Sequence, residues 1–145
     1  TLGDSINREN AFRDHTGVLM MNAEAAKLEI EAKRQAAIAE KAGGDVGEGD
    51  PAQGKTLSQT YGCLSCHSVD GSKLIGPTWK GLAGSTFTLI DGSTATADAE
   101  YLTAAIVTPR LEGRIGFPLV MPDHPQFSAA DVADIVTYIQ ELPTE

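Results

Sequence analysis

Apolar and polar positions alternate with three distinct rhythms along this chain. Toward the C-terminus, Val132, Ile135, Val136, Ile139 and Leu142 recur at three- and four-residue spacing, with Tyr138 beside them. That spacing predicts a helix with one buried face. Ser128 precedes it as a cap, and Asp131 three residues on completes a short capping box. Asp50-Pro51 predicts another helix start, an Asp cap followed by Pro at the first helical position. This helix is expected to run to about Tyr61 and stop at Gly62. Asp98 caps a third, running to about Val107 and ending before Pro109. Between them, Phe87 and Leu89 before Asp91-Gly92, and Thr94 and Thr96 after it, predict a hairpin closed by a two-residue turn.

The first 49 residues follow a weaker pattern. Ala23 to Lys41 is rich in good helix formers, and Glu29 and Lys33 form a favourable i, i+4 pair. A helix is expected from about Asn22 to Ala42, with Leu28, Ala32, Gln35, Ile38 and Ala42 as a faint apolar stripe. Residues 43–49 are glycine-rich and acidic, the composition of a flexible linker. The expected organisation is therefore an N-terminal helical extension and linker, 1–49, before one domain, 50–145. Removing residues 1–44 is expected to leave the chemistry of that domain nearly unchanged.

The chemistry lies at the end of the first domain helix. Cys63-Leu64-Ser65-Cys66-His67 contains both cysteines of the chain and reads C-x-x-C-H. This is the attachment signature of a c-type haem: two thiols form thioethers, and the adjacent imidazole reaches the iron. A thioredoxin-like redox pair requires a βαβ setting that the pattern lacks. Zinc requires four ligands, and only His15 and His124 remain to supplement this motif. A disulfide closing so small a loop would stabilise little.

A haem electron carrier needs a second axial ligand, and a thioether raises the potential relative to a second histidine. Met20 and Met21 lie in an apolar stretch far before the motif and read as packing. Met121 stands between Pro118 and Pro122, which keep it out of a helix and stiffen its loop. It is the preferred sixth ligand, with His124 as competitor.

Gly76-Pro77-Thr78-Trp79-Lys80-Gly81-Leu82, Thr88-Leu89-Ile90-Asp91-Gly92-Ser93-Thr94 and Pro118-Leu119-Val120-Met121-Pro122 form a familiar series. Over residues 50–143 it resembles the class I cytochrome c domain fused to subunit II of caa3-type haem–copper oxygen reductases. The resemblance implies an all-α class I cytochrome c fold around one covalent haem c, with a small β-hairpin and here an extra N-terminal helix. It implies thioethers at Cys63 and Cys66 and axial ligation by His67 and Met121. It implies that the Pro77 carbonyl accepts from the axial imidazole, and that Trp79 lies near the haem with its N–H available to a propionate; a core aromatic is the plainer reading of Trp79. The last helix would cross the first near Gly54, where no side chain holds them apart.

The implied function is single-electron transfer from a soluble donor to a CuA centre on the way to oxygen. The chain would be part of an oxidase without being an enzyme as an isolated domain. The alternatives are a free or anchored periplasmic monohaem cytochrome c serving another respiratory complex, and a haem enzyme such as a peroxidase with an open iron position. CuA needs two cysteines, and residues 1–49 contain none. That segment therefore holds no such centre; it is expected to be the tail of a preceding copper domain plus the connector, or a segment unrelated to that domain.

Charge narrows the partners. The 145 residues carry a net charge of −9, of which residues 1–49 contribute −3 and the remainder −6. An acidic balance disfavours nucleic acid. No stretch of 18 apolar residues occurs, so no transmembrane segment is expected in this chain. Haem attachment of this kind implies the extracytoplasmic, periplasmic side of a bacterial membrane. A start at Thr1 suggests a processed or partial chain, tethered there through a parent subunit.

Overall fold

The structure, a computed structural model, describes the backbone of residues 15–42 and 48–144, and side chains from residue 25 onward except 38 and 40–42. In order along the chain come α1 (His15–Ala42), α2 (Pro51–Thr60), a 3-10 turn (Cys63–Ser65), β1 (Thr86–Thr88), β2 (Thr94–Thr96), α3 (Ala99–Val107) and α4 (Ala129–Glu141). The architecture is all-α with one two-stranded hairpin. The chain separates into two compact units, residues 1–33 and 34–145.

The capping residues act as their positions require. Asp50 Oδ1 accepts from the N–H groups of Ala52 and Gln53, at 2.9 and 3.3 Å. Asp98 Oδ1 accepts from Tyr101 N at 2.7 Å. Ser128 and Asp131 form a reciprocal box, with Oγ accepting from Asp131 N at 3.1 Å and Oδ2 from Ser128 N at 3.0 Å. Each satisfies amide donors that a helix start leaves without partners.

The core is built where α4 packs against α2 and α3. Val132, Ile135, Val136 and Ile139 are all buried on the inner face of α4 and meet Leu57, Trp79, Phe87, Leu102 and Ile106. The α2–α4 contact is closest at Gly54, where an added Cβ would lie 2.0 Å from the Asp134 carbonyl oxygen. The entry to α2 is fastened to the same helix. Gly49 N donates to Thr137 Oγ1 at 2.9 Å and Asp50 N to Asp134 Oδ1 at 2.7 Å. Gly49, expected as linker, is thus packed against α4. Residues 43–47 lie outside the described residues.

The hairpin differs in its turn. Thr86, Phe87 and Thr88 pair with Thr96, Ala95 and Thr94. The loop has three residues rather than two: Leu89 N bonds Ser93 O at 2.8 Å, and Gly92 N bonds Leu89 O at 3.0 Å. A two-residue turn of the expected type needs positive φ at both central residues. Only Gly92 has it, at 87°. Asp91 instead accepts from Ser93 N at 2.9 Å, a local turn that holds it at negative φ.

Helix α1 begins at His15, seven residues before the expected start, since no proline interrupts Thr16–Asn22. The side chains of His15, Met20 and Met21 lie outside the described residues. Within the first unit, Glu29 and Lys33 are paired at 2.9 Å, both well exposed. Of the expected apolar stripe, the side chains of Ile38 and Ala42 lie outside the described residues, and the other three are exposed. Leu28 is 72% exposed, and Ala32 and Gln35 are also exposed. Ile30, Glu31, Arg34 and Ala37 are the half-buried positions. The Arg and the Glu among them are positions that hydrophobic periodicity does not mark.

Candidate functional site

Helix α2 ends where Gly62 takes φ 74°, a left-handed conformation open to glycine. The chain then tightens into the 3-10 turn. Ser65 N bonds Gly62 O at 3.1 Å, Cys66 N bonds Cys63 O at 3.2 Å, and His67 N bonds Cys63 O at 3.0 Å. Cys63 and Cys66 are unpaired half-buried thiols, and both border one cavity together with His67. Burial pushes the Cys63 thiol up, and the neighbouring Cys66 adds to this. The turn thus disfavours the thiolate form of Cys63.

His67 is fixed by its surroundings. Its Nδ1 lies 2.7 Å from the Pro77 carbonyl oxygen. A carbonyl only accepts, so Nδ1 carries the hydrogen and donates it, leaving Nε2 as the unprotonated nitrogen. Burial lowers the pKa of His67, with the Pro77 bond acting in the opposite direction. Gly76 makes this approach possible. A Cβ there would lie 2.6 Å from His67 Cε1 and 2.9 Å from Nδ1. Gly76 N also bonds Cys66 O at 2.8 Å, closing the loop against the motif.

Trp79 is buried and stacks on the imidazole, centroids 5.3 Å apart and planes at 25°. Its edge meets Tyr138 of α4 at 6.3 Å. It is therefore a core residue and a cavity-lining residue at once.

Met121 borders the same cavity from the irregular loop after α3. A sequence reading misses what steadies it. Arg110 Nη1 donates to the Met121 carbonyl at 2.7 Å, and Arg110 Nη2 pairs with Asp123 Oδ2 at 2.8 Å. His124 borders the cavity too, with its ring stacked on Phe127 at 5.1 Å and 24°. Burial lowers its pKa, against the pull of Asp123.

The cavity measures about 230 Å³, several times the volume one water occupies in the liquid. Leu82, Phe87, Leu102, Ile106 and Ile139 supply apolar wall. Such a space in a small helical core is not a packing defect, since interiors leave few voids larger than a water. Its lining suits a flat apolar group bearing a soft-liganded metal: two thiols, an imidazole nitrogen with its hydrogen directed away, a thioether and hydrocarbon. Among the described residues, His, Cys, Asp and Glu form no group of three or more that could hold an ion alone. The residues present fit a haem.

Fold and site together define an all-α protein built to hold a haem through a cysteine pair. The cytochrome c family model matches residues 51–143, and the chain belongs to the cytochrome c family. The fold is that of a class I cytochrome c, and family membership implies covalently bound haem c and electron transport between redox partners. No curated protein matches the chain.

Proposed function

We propose that the chain transfers single electrons through one haem c, which Cys63 and Cys66 would hold by thioethers and His67 Nε2 and Met121 Sδ would ligate. The observation that carries this reading is one cavity bordered by Cys63, Cys66, His67 and Met121, with the imidazole oriented by Pro77. Bound haem supplies an iron centre that gains or loses one electron. The residues supply the rest. Cys63 and Cys66 would hold the group covalently through thioether bonds. Pro77 orients His67 and makes it a better donor. The Met121 thioether favours the reduced metal. Met121 is preferred to His124 because it leaves no polar group to desolvate and sits in a loop clamped by Arg110. With His67 and Met121 both ligating the metal, no position would be left open for a substrate, and electron transfer would require little movement.

We further propose a place in respiration. The chain receives electrons from a soluble donor and passes them to the CuA domain of a terminal oxygen reductase, on the extracytoplasmic side of a membrane. The motif series shared with the oxidase-fused branch supports this reading. No described helix is long and apolar enough to cross a membrane, so tethering would come from a parent subunit. The second reading, a free or anchored cytochrome c serving another complex, rests on the same site.

Two measurements test the site. Haem should stay with the protein in acidified organic solvent, and extraction would sink the thioether assignment. The oxidised protein should show the weak near-infrared band of sulfur–iron coordination, and Met121→Ala should abolish it. A band that survives this change assigns the sulfur to another methionine. Absence of the band from the wild type favours His124 or an open position.

A further inference from the structure

The last turns of α1 belong to the same compact unit as the haem cavity, which begins at Arg34. Two of their side chains hold acidic partners far away in sequence. Arg34 pairs through Nη2 with Glu112 Oε2, and Gln35 Nε2 donates to Glu100 Oε1. The Arg34 and Glu112 side chains are only 15% and 22% exposed. Both border the cavity. An ion pair this far from water recovers little net stability, because desolvating two charges offsets their attraction. Its position on a cofactor wall therefore calls for a second reason.

The charge balance of the wall supplies one. Among the described residues that line the cavity, Arg34 and Arg114 are the cationic side chains and Glu112 is the carboxylate. Glu112 neutralises one guanidinium, leaving one positive charge over. A haem is apolar except for two carboxylates on one edge, which need cations or water. Arg114 already lies over the Phe87 ring, 4.6 Å from its centroid. The Tyr101 hydroxyl, raised by burial, is drawn back down by Arg114 and Arg34. The two arginines thus act on one neighbourhood.

We propose that Arg34, contributed by the N-terminal helix and oriented by Glu112, is a positioning residue for the haem that meets a carboxylate of the macrocycle and favours the reduced iron. The proposal rests on the haem reading of the cavity. It makes the end of α1 a working part of the site. The oxidised iron carries one more positive charge than the reduced iron, so a nearby cation raises the potential and a nearby anion lowers it.

The test is an equilibrium redox titration of the full chain with Arg34→Gln, Arg34→Lys and Glu112→Gln. Arg34→Gln should lower the potential. Arg34→Lys should stay near wild type, and Glu112→Gln should raise it. Both neutralising variants break the same ion pair, so a merely structural pair would shift them alike or not at all. Shifts of the same sign, or an unchanged potential in Arg34→Gln, would overturn the proposal. Should Arg34→Gln fail to fold, a potential that does not rise in Glu112→Gln overturns it alone. Haem retention in acidified solvent is measured on the same samples. Loss of haem from the wild type defeats the haem reading itself, whereas retained haem with the wrong signs defeats only the role of Arg34.

Discussion

At the scale of single residues, the site depends on side chains that hold other side chains in place. Pro77 orients His67, Gly76 admits it, and Arg110 clamps the loop of Met121. None of the three touches metal in the proposed arrangement, yet each decides where a ligand atom sits. Arg110 is the most testable. Its hydrogen bond to the Met121 carbonyl is charge-assisted but half-exposed, so its loss should cost about 1 kcal/mol. That multiplies the population with Met121 released by about fivefold. Arg110→Gln should therefore weaken the near-infrared band while helix content by circular dichroism stays constant. Arg110→Lys should restore part of the band, because one ammonium cannot reproduce both bonds. An undiminished band in Arg110→Gln would remove Arg110 from the positioning set.

At the scale of elements, the α2–α4 crossing determines how the C-x-x-C-H turn is presented. Helix α2 delivers that turn, and α4 fixes α2 at Gly54 and through Asp134 and Thr137. Ser58 and Thr103 are fully buried, but their hydroxyls return to the carbonyls of Gly54 and Ala99, both at 2.7 Å. The interface therefore carries no orphan polar group there. Two substitutions separate local from tertiary effects. Ser128→Ala removes one helix cap and should cost about 1 kcal/mol, seen as a modest fall in melting temperature with an unchanged haem spectrum. Gly54→Ala forces a Cβ into backbone of α4 and should cost about 2–3 kcal/mol or more. It should also perturb the haem spectrum, because α2 cannot shift without moving Cys63. Equal effects of the two changes would mean that the crossing does not control the site.

For the whole molecule, charge and exposed apolar surface govern encounter with partners. Ile75, Leu119 and Val120 border the cavity and are 55%, 45% and 59% exposed. In the proposed arrangement they would form a contact ring where an electron leaves. The net charge of −9 disfavours steering by a lysine ring, so we predict a donor that docks through apolar contact or presents a basic surface. Screening distinguishes these, since charge attraction fades over a Debye length of about 8 Å at physiological salt. Transfer rates flat from low to high salt indicate apolar docking, and a steep fall indicates a basic donor. A strong rise with salt marks mutual repulsion and disqualifies that candidate donor.

What the sequence alone determined was local. Asp50, Asp98 and Ser128 announce helix starts because a cap bonds amides two or three residues away. Val132, Ile135, Val136 and Ile139 announce a buried face because helical spacing puts them on one side. The C-x-x-C-H motif announces haem because its geometry is contained in five consecutive residues. What only the tertiary structure decided was long-range. Arg34 meets Glu112, and Arg110 meets the Met121 loop, through single polar contacts that no periodicity marks. Gly76 matters because of His67 Cε1, an atom nine residues back brought close by a fold in the chain. The turn at Asp91-Gly92 was legible as a turn, but a side-chain bond to Ser93 chose its length. At the last turns of α1, Arg34 bonds Glu112 and Gln35 bonds Glu100, polar contacts that hydrophobic spacing does not report. Patterns of hydrophobicity report what is buried, whereas a polar contact is specified by two positions whose meeting depends on the whole fold.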